Sequence, residues 1–165
     1  MLRVRRAELA RLLEVAINSN DASISGVDGT ISAVGDPTEL SLVALAKKAG
    51  VLEKRSRLDE IPFSSDRKMM STVHQLNGKA LTYSKGALER ILGACSHLSE
   101  NGKISPLTEA KKRELSAAGN GLAEEAYRVL GFAYKELSAA ERAKKDYEQG
   151  LVYVGMVGLR DPPRP

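Results

Sequence analysis

Residues 67–86 read RKMMSTVHQLNGKALTYSKG. Two runs of β-type residues flank Asn77-Gly78, a pair suited to a two-residue type I′ turn because both central positions need positive φ. The stretch is therefore a β-hairpin and the start of an antiparallel sheet. A second Asn-Gly pair, Asn101-Gly102 in HLSENGKISPL, predicts a shorter hairpin. RVLGFAYKEL and LVYVGMVGL read as two further strands around the charged insert SAAERAKKDYEQG. SRLDEIPF is extended, since Pro62 disfavours the helical region for Ile61.

Helical patterns surround these strands. Leu9, Leu12, Leu13, Ala16 and Ile17 recur at i, i+3, i+4 spacing and predict a helix over about Ala7 to Asn18. NDASISGVDGTISAVGD is a turn-rich loop with room for a short hairpin at Asp28-Gly29. In GDPTELSLVALAKKAG, Asp36 fits the N-cap and Pro37 the first helical position. Glu39 falls at N3, where its carboxylate can reach back to the cap amide, and Gly50 closes the helix. A helix over about Ala87 to Ala94 follows the main hairpin. Another runs from near Leu107 towards Tyr127, with Gly119-Asn120-Gly121 expected to split it in two. Strands in hairpins with helices grouped between them predict an α+β fold, a twisted antiparallel sheet with helices packed on it, in one domain over 1–165.

The bulk numbers narrow the function. At 165 residues and 42% hydrophobic, the chain can bury a core of its own, and with only 4% aromatic residues that core must be aliphatic. A net charge of +4, with basic residues scattered among acidic ones, lacks the clustering of a nucleic-acid surface. Cys95 stands alone beside two histidines and forms no metal-ligand spacing, which fits a reducing compartment. The apolar run Leu151 to Leu159 is half the length of a membrane-spanning helix. No Walker P-loop, G-x-G-x-x-G or G-x-S-x-G motif occurs.

Five short stretches remain: GDPTE, FSSDRKMMS, SKGALE, YRVLGFAYKEL and GMVGLRDPPRP. Each alone is bland, Phe63 reading as a core residue, Lys68 as a strand-edge charge and Lys85 as a solvated lysine. Together, in this order and spacing, they resemble the nucleotide-binding (N) domain of P-type cation-transporting ATPases, most of all the calcium-pump group. The residue after Lys85-Gly86-Ala87 is Leu88 where that group often has proline, and LDEIPF is similar to the magnesium-pump group. The ion carried is therefore left open.

The resemblance implies an ATP- and ADP-binding domain that presents the γ-phosphate to an aspartate on a separate phosphorylation domain, with Mg2+ acting in the full-length parent. It implies that Glu39 lies near the adenine amino group and that Phe63 stacks on the base. Ser65, Lys68, Lys85 and Gly86 would line the pocket, and Arg128 would approach the phosphates. It further implies a cytoplasmic domain of an integral membrane protein, monomeric and soluble when isolated. Its partners would be the phosphorylation and actuator domains, with neither nucleic acid nor direct membrane contact. Residues 161–165 would be a hinge lying close to the N-terminus. The family's phosphorylated aspartate stands in a DKTGT stretch that this sequence lacks, so the isolated chain is expected to bind ATP without hydrolysing it, with no catalytic residue and no metal site of its own. The alternative is a regulatory or interaction domain of the same fold that no longer binds nucleotide.

Overall fold

The computed structural model describes residues 6–27, 30–51 and 54–160. In chain order the elements are α1 (Arg6–Asn18), β1 (Ser23–Val27), β2 (Thr30–Val34), α2 (Pro37–Lys48), β3 (Arg57–Ser64), β4 (Met69–Leu76) and β5 (Lys79–Ala87). They continue with α3 (Leu88–Ala94), β6 (Cys95–Glu100), β7 (Lys103–Pro106), α4 (Glu109–Glu124), β8 (Arg128–Leu137), α5 (Ala139–Lys144) and β9 (Leu151–Leu159). A seven-stranded sheet has the order β3-β4-β5-β8-β9-β6-β7, while β1 and β2 pair separately.

The hairpin of residues 67–86 lies in the large sheet as β4 and β5. Asn77 (φ 51°) and Gly78 (φ 79°) both take the left-handed conformation that the turn requires. Asn101 (φ 57°) and Gly102 (φ 72°) do the same between β6 and β7. The β1–β2 ladder also forms, Val27 facing Thr30. Its turn at Asp28-Gly29, like the expected hinge at 161–165 and its closeness to the N-terminus, lies outside the described residues.

Helices cover both faces of the sheet. Strand alternation sends Leu81 and Tyr83 of β5 and Phe132 of β8 to one face, where they join Leu12, Leu13 and Ala16 of α1 and Leu42 and Ala46 of α2. Met69, Ala133, Leu151 and Tyr153 meet Leu88, Ile91 and Leu92 of α3 on the other. Both cores are made largely of buried aliphatic side chains.

The fold is α+β with helices packed on the sheet, as expected, and two details differ. The sheet is antiparallel except where β6 runs parallel to β9, with Cys95 opposite Leu151 and Leu98 opposite Tyr153. The chain crosses from β7 through α4 to β8, and β9 then fills the gap between β8 and β6. The pair Gly119 and Gly121 does not split α4, which is continuous over Glu109–Glu124. A Cβ on Gly119 would stand 2.2 Å from Leu88 Cδ2, so this glycine lets α3 and α4 approach closely. The helix ends instead at Ala126 (φ 63°), where the Tyr127 amide donates to the Leu122 carbonyl at 3.0 Å.

His74 on β4 is buried beside the Tyr83 ring, with Nδ1 donating to the Ser56 carbonyl at 3.1 Å. Burial holds its pKa below the usual histidine value. The unfolded chain therefore takes up a proton first as pH falls. This contribution to stability is complete above about pH 6.5 and declines as pH drops from there through the folded pKa. Thermal unfolding between pH 7.5 and 5.5 should show that decline, and a His74→Gln variant should show less of it. An identical slope in the variant would rule out His74 as its source.

Candidate functional site

The site begins at the start of α2. Asp36 caps the helix, its side chain accepting from the Thr38 amide at 2.8 Å, with Pro37 in the first turn. At the other end Gly50 (φ 82°) closes it, the Val51 amide donating to the Ala46 carbonyl at 2.9 Å. Glu39 does not reach back to the cap amide as its N3 position suggests. One of its carboxylate oxygens accepts from the Asp21 amide at 3.1 Å, and the other pairs with the Lys85 ammonium.

The reason lies in the sheet. Lys85 shares a face of β5 with Leu81 and Tyr83, which turns it under α2, and only 7% of it is exposed. An ammonium there needs a counter-charge far more than an exposed helix end needs a second cap. Burial lowers the Lys85 pKa, and the neighbouring carboxylate opposes that shift. The other two N–H groups of Lys85 have no hydrogen-bond partner among the described residues.

Strands β3 and β4 meet in the turn of residues 65–68. Its Lys68 amide donates to the Ser64 carbonyl at 2.7 Å, and Lys68 itself sits at φ 51°. That left-handed conformation disfavours a lysine, and residues held so are concentrated at functional sites. Phe63, just before the turn, is 60% exposed and so is not a core residue. Gly86 faces Met69 across the ladder, and a Cβ on it would lie 2.4 Å from the Lys68 carbonyl oxygen. What its side chain would strike is the chain's own turn. Arg128, the first residue of β8, donates to Thr38 Oγ1 at 2.7 Å.

Glu39, Phe63, Lys68, Lys85, Gly86 and Arg128 line one cleft of about 610 Å³. Ser65 is exposed and does not line it. Asp21, Thr38 and Met70 do, and none of the three was singled out from the sequence. Thr38 stands within the quoted GDPTE stretch. Met70 could have been found from the hairpin register, because it pairs with Lys85 and so shares its face. Asp21 carried no signal; it is placed by a salt bridge of 2.9 Å to Arg57. The cleft thus joins an exposed aromatic face, a partly buried carboxylate–ammonium pair and two further cations, a combination suited to a planar heterocycle bearing anionic groups.

Comparison with known proteins gives the family. A family model described as "P-type ATPase, cytoplasmic domain N" matches residues 8–165. The chain is 40% identical over 158 residues to "Calcium-transporting ATPase 1" of Bacillus cereus, covering 93% of this chain and 17% of that protein. It is 36% identical over 160 residues to "Calcium-transporting ATPase lmo0841" of Listeria monocytogenes, covering 93% and 18% respectively. It is 38% identical over 158 residues to "Calcium-transporting ATPase PAT1" of Dictyostelium discoideum, covering 92% and 14%. The chain therefore spans less than a fifth of the length of these relatives. Among the described residues no helix is long and apolar enough to cross a membrane. With the match running from α1 past the end of β9, this chain belongs to the family of P-type ATPase cytoplasmic N domains.

Proposed function

We propose that this domain binds an adenine nucleotide in the cleft and presents its γ-phosphate to an aspartate on another domain of a cation-transporting P-type pump. The observation that carries the reading is the exposed Phe63 opening onto the same cleft as the buried Lys85 and its partly buried partner Glu39. The aromatic face would stack on the purine. Glu39 has lone pairs beyond those used by Asp21 and Lys85, and these would accept from the adenine amine. Lys68 and Arg128 would draw the phosphate chain by charge.

In the parent, phosphoryl transfer would form an aspartyl-phosphate, with magnesium neutralising charge between the phosphates. Among the described residues no group of three or more His, Cys, Asp or Glu could hold a metal ion. The role proposed for this chain is to hold and orient ATP, which it would bind without turnover. Placement as the cytoplasmic part of an integral membrane pump, working against phosphorylation and actuator domains, belongs to the same proposal.

Binding should be weak, with a Kd of roughly 0.1 to a few mM, about −4 to −5 kcal/mol, because few groups contact the ligand. Guanine carries a carbonyl where adenine carries its amine, so GTP would set an acceptor against the Glu39 carboxylate. Calorimetry should find GTP about tenfold weaker than ATP. Equal affinities would sink adenine recognition, and no binding of either would favour the interaction-domain alternative.

A further inference from the structure

Strand β3 is an edge strand with an irregular register against β4, yet it and the turn after it carry Phe63 and Lys68. Something else must hold that wall of the cleft. The segment of residues 145–148, between α5 and β9, lies across it at two points. Tyr147, 1% exposed and packed with Val73 and Ile61, donates from its hydroxyl to Asp59 of β3 at 2.7 Å, and Lys145 pairs with the same carboxylate at 3.1 Å. Glu148 takes Arg67 of the turn, whose Nη1 lies 2.7 Å from both carboxylate oxygens. The other Arg67 Nη donates to the Pro62 carbonyl, one residue before Phe63.

The segment is itself anchored from below. Lys135 of β8, 9% exposed, donates to the Asp146 carbonyl at 3.0 Å and the Gln149 carbonyl at 2.7 Å. Ser71 of β4 donates to Glu148 at 2.9 Å. A continuous chain of contacts therefore runs from the central strand β8 through residues 145–149 to the turn that carries Lys68.

We propose that residues 145–148 form a clamp on the outer wall of the cleft, with Arg67, Glu148 and Tyr147 as positioning residues for Phe63 and Lys68. The effect on the ligand rests on the nucleotide reading above; the effect on the turn does not. Two conservative variants test it: Glu148→Gln, which keeps size and one acceptor, and Tyr147→Phe, which removes only the hydroxyl. Amide hydrogen exchange at Lys68 and Ala87 reads the turn directly, since those amides donate to the Ser64 and Lys68 carbonyls. Exchange there should accelerate about tenfold in Glu148→Gln and less in Tyr147→Phe, with the other amides of β5 and those of β8 unchanged. The ATP Kd, from calorimetry, should rise about three- to tenfold in Glu148→Gln. Local acceleration in a protein whose wild type binds no ATP would uphold the clamp and remove the nucleotide reading. Unchanged exchange at both amides in both variants, acceleration spread uniformly over the sheet, or local acceleration with ATP affinity intact would overturn the proposal.

Discussion

A Lys85→Met variant should lose about 3 kcal/mol of folding stability and its ATP binding together. Removing one member of a buried ion pair strands the other charge, which typically costs about 3–5 kcal/mol. The lower end applies here, because the Glu39 side chain keeps 16% exposure and the Asp21 amide as a partner. Methionine fills much of the space of the lysine stem, so lost packing contributes little. Adding Glu39→Gln should restore most of the stability, since the stranded charge is then gone, while binding stays lost. Urea unfolding of the single and double variants checks this. A Lys85→Met protein within about 0.5 kcal/mol of wild type would mean that the pair is not coupled in the folded state.

Phe63→Ala should behave in the opposite way. With 60% of the residue exposed, its removal opens no core cavity, and the melting temperature should move by no more than a degree or two. If it stacks on adenine, its loss costs about 1–3 kcal/mol of binding, a Kd roughly 5 to 150 times higher. A variant that folds normally and binds ATP as the wild type does would reduce Phe63 to a surface residue. The two substitutions together separate a side chain that holds the fold and the ligand from one that serves the ligand alone.

Much of this architecture was legible in local chemistry. The Asn-Gly turns announced both hairpins, because their requirement for positive φ is a property of two residues and needs no tertiary context. Asp36, Pro37 and Gly50 marked the ends of α2 for the same reason. Gly119 misled because a helical glycine also serves close packing, and Leu88, which it accommodates, lies 31 positions away. The parallel β6–β9 pair was hidden in the order of strands, which periodicity does not encode.

The site divides along the same line. Residue types proposed from the five stretches, Glu39, Phe63, Lys68, Lys85, Gly86 and Arg128, come together in one cleft, while Ser65 stays outside it. What each residue does there depended on partners far along the chain. Glu39 left its expected capping role for Lys85, 46 residues on. Gly86 proved to accommodate Lys68 and Met69 of the chain itself. The left-handed Lys68 and the Arg67–Glu148 bridge, spanning 81 residues, had no local signature.

An adenine nucleotide seated between Phe63 and the Glu39–Lys85 pair would be detected most directly by titrating the domain with ATP while following backbone amide chemical shifts. Saturable shifts are expected, confined to Asp21, Thr38, Glu39, Phe63, Lys68, Lys85, Gly86 and Arg128 and their immediate neighbours. No saturable shift at millimolar ATP, or shifts scattered over the lysines and arginines of the whole surface, would contradict that seating.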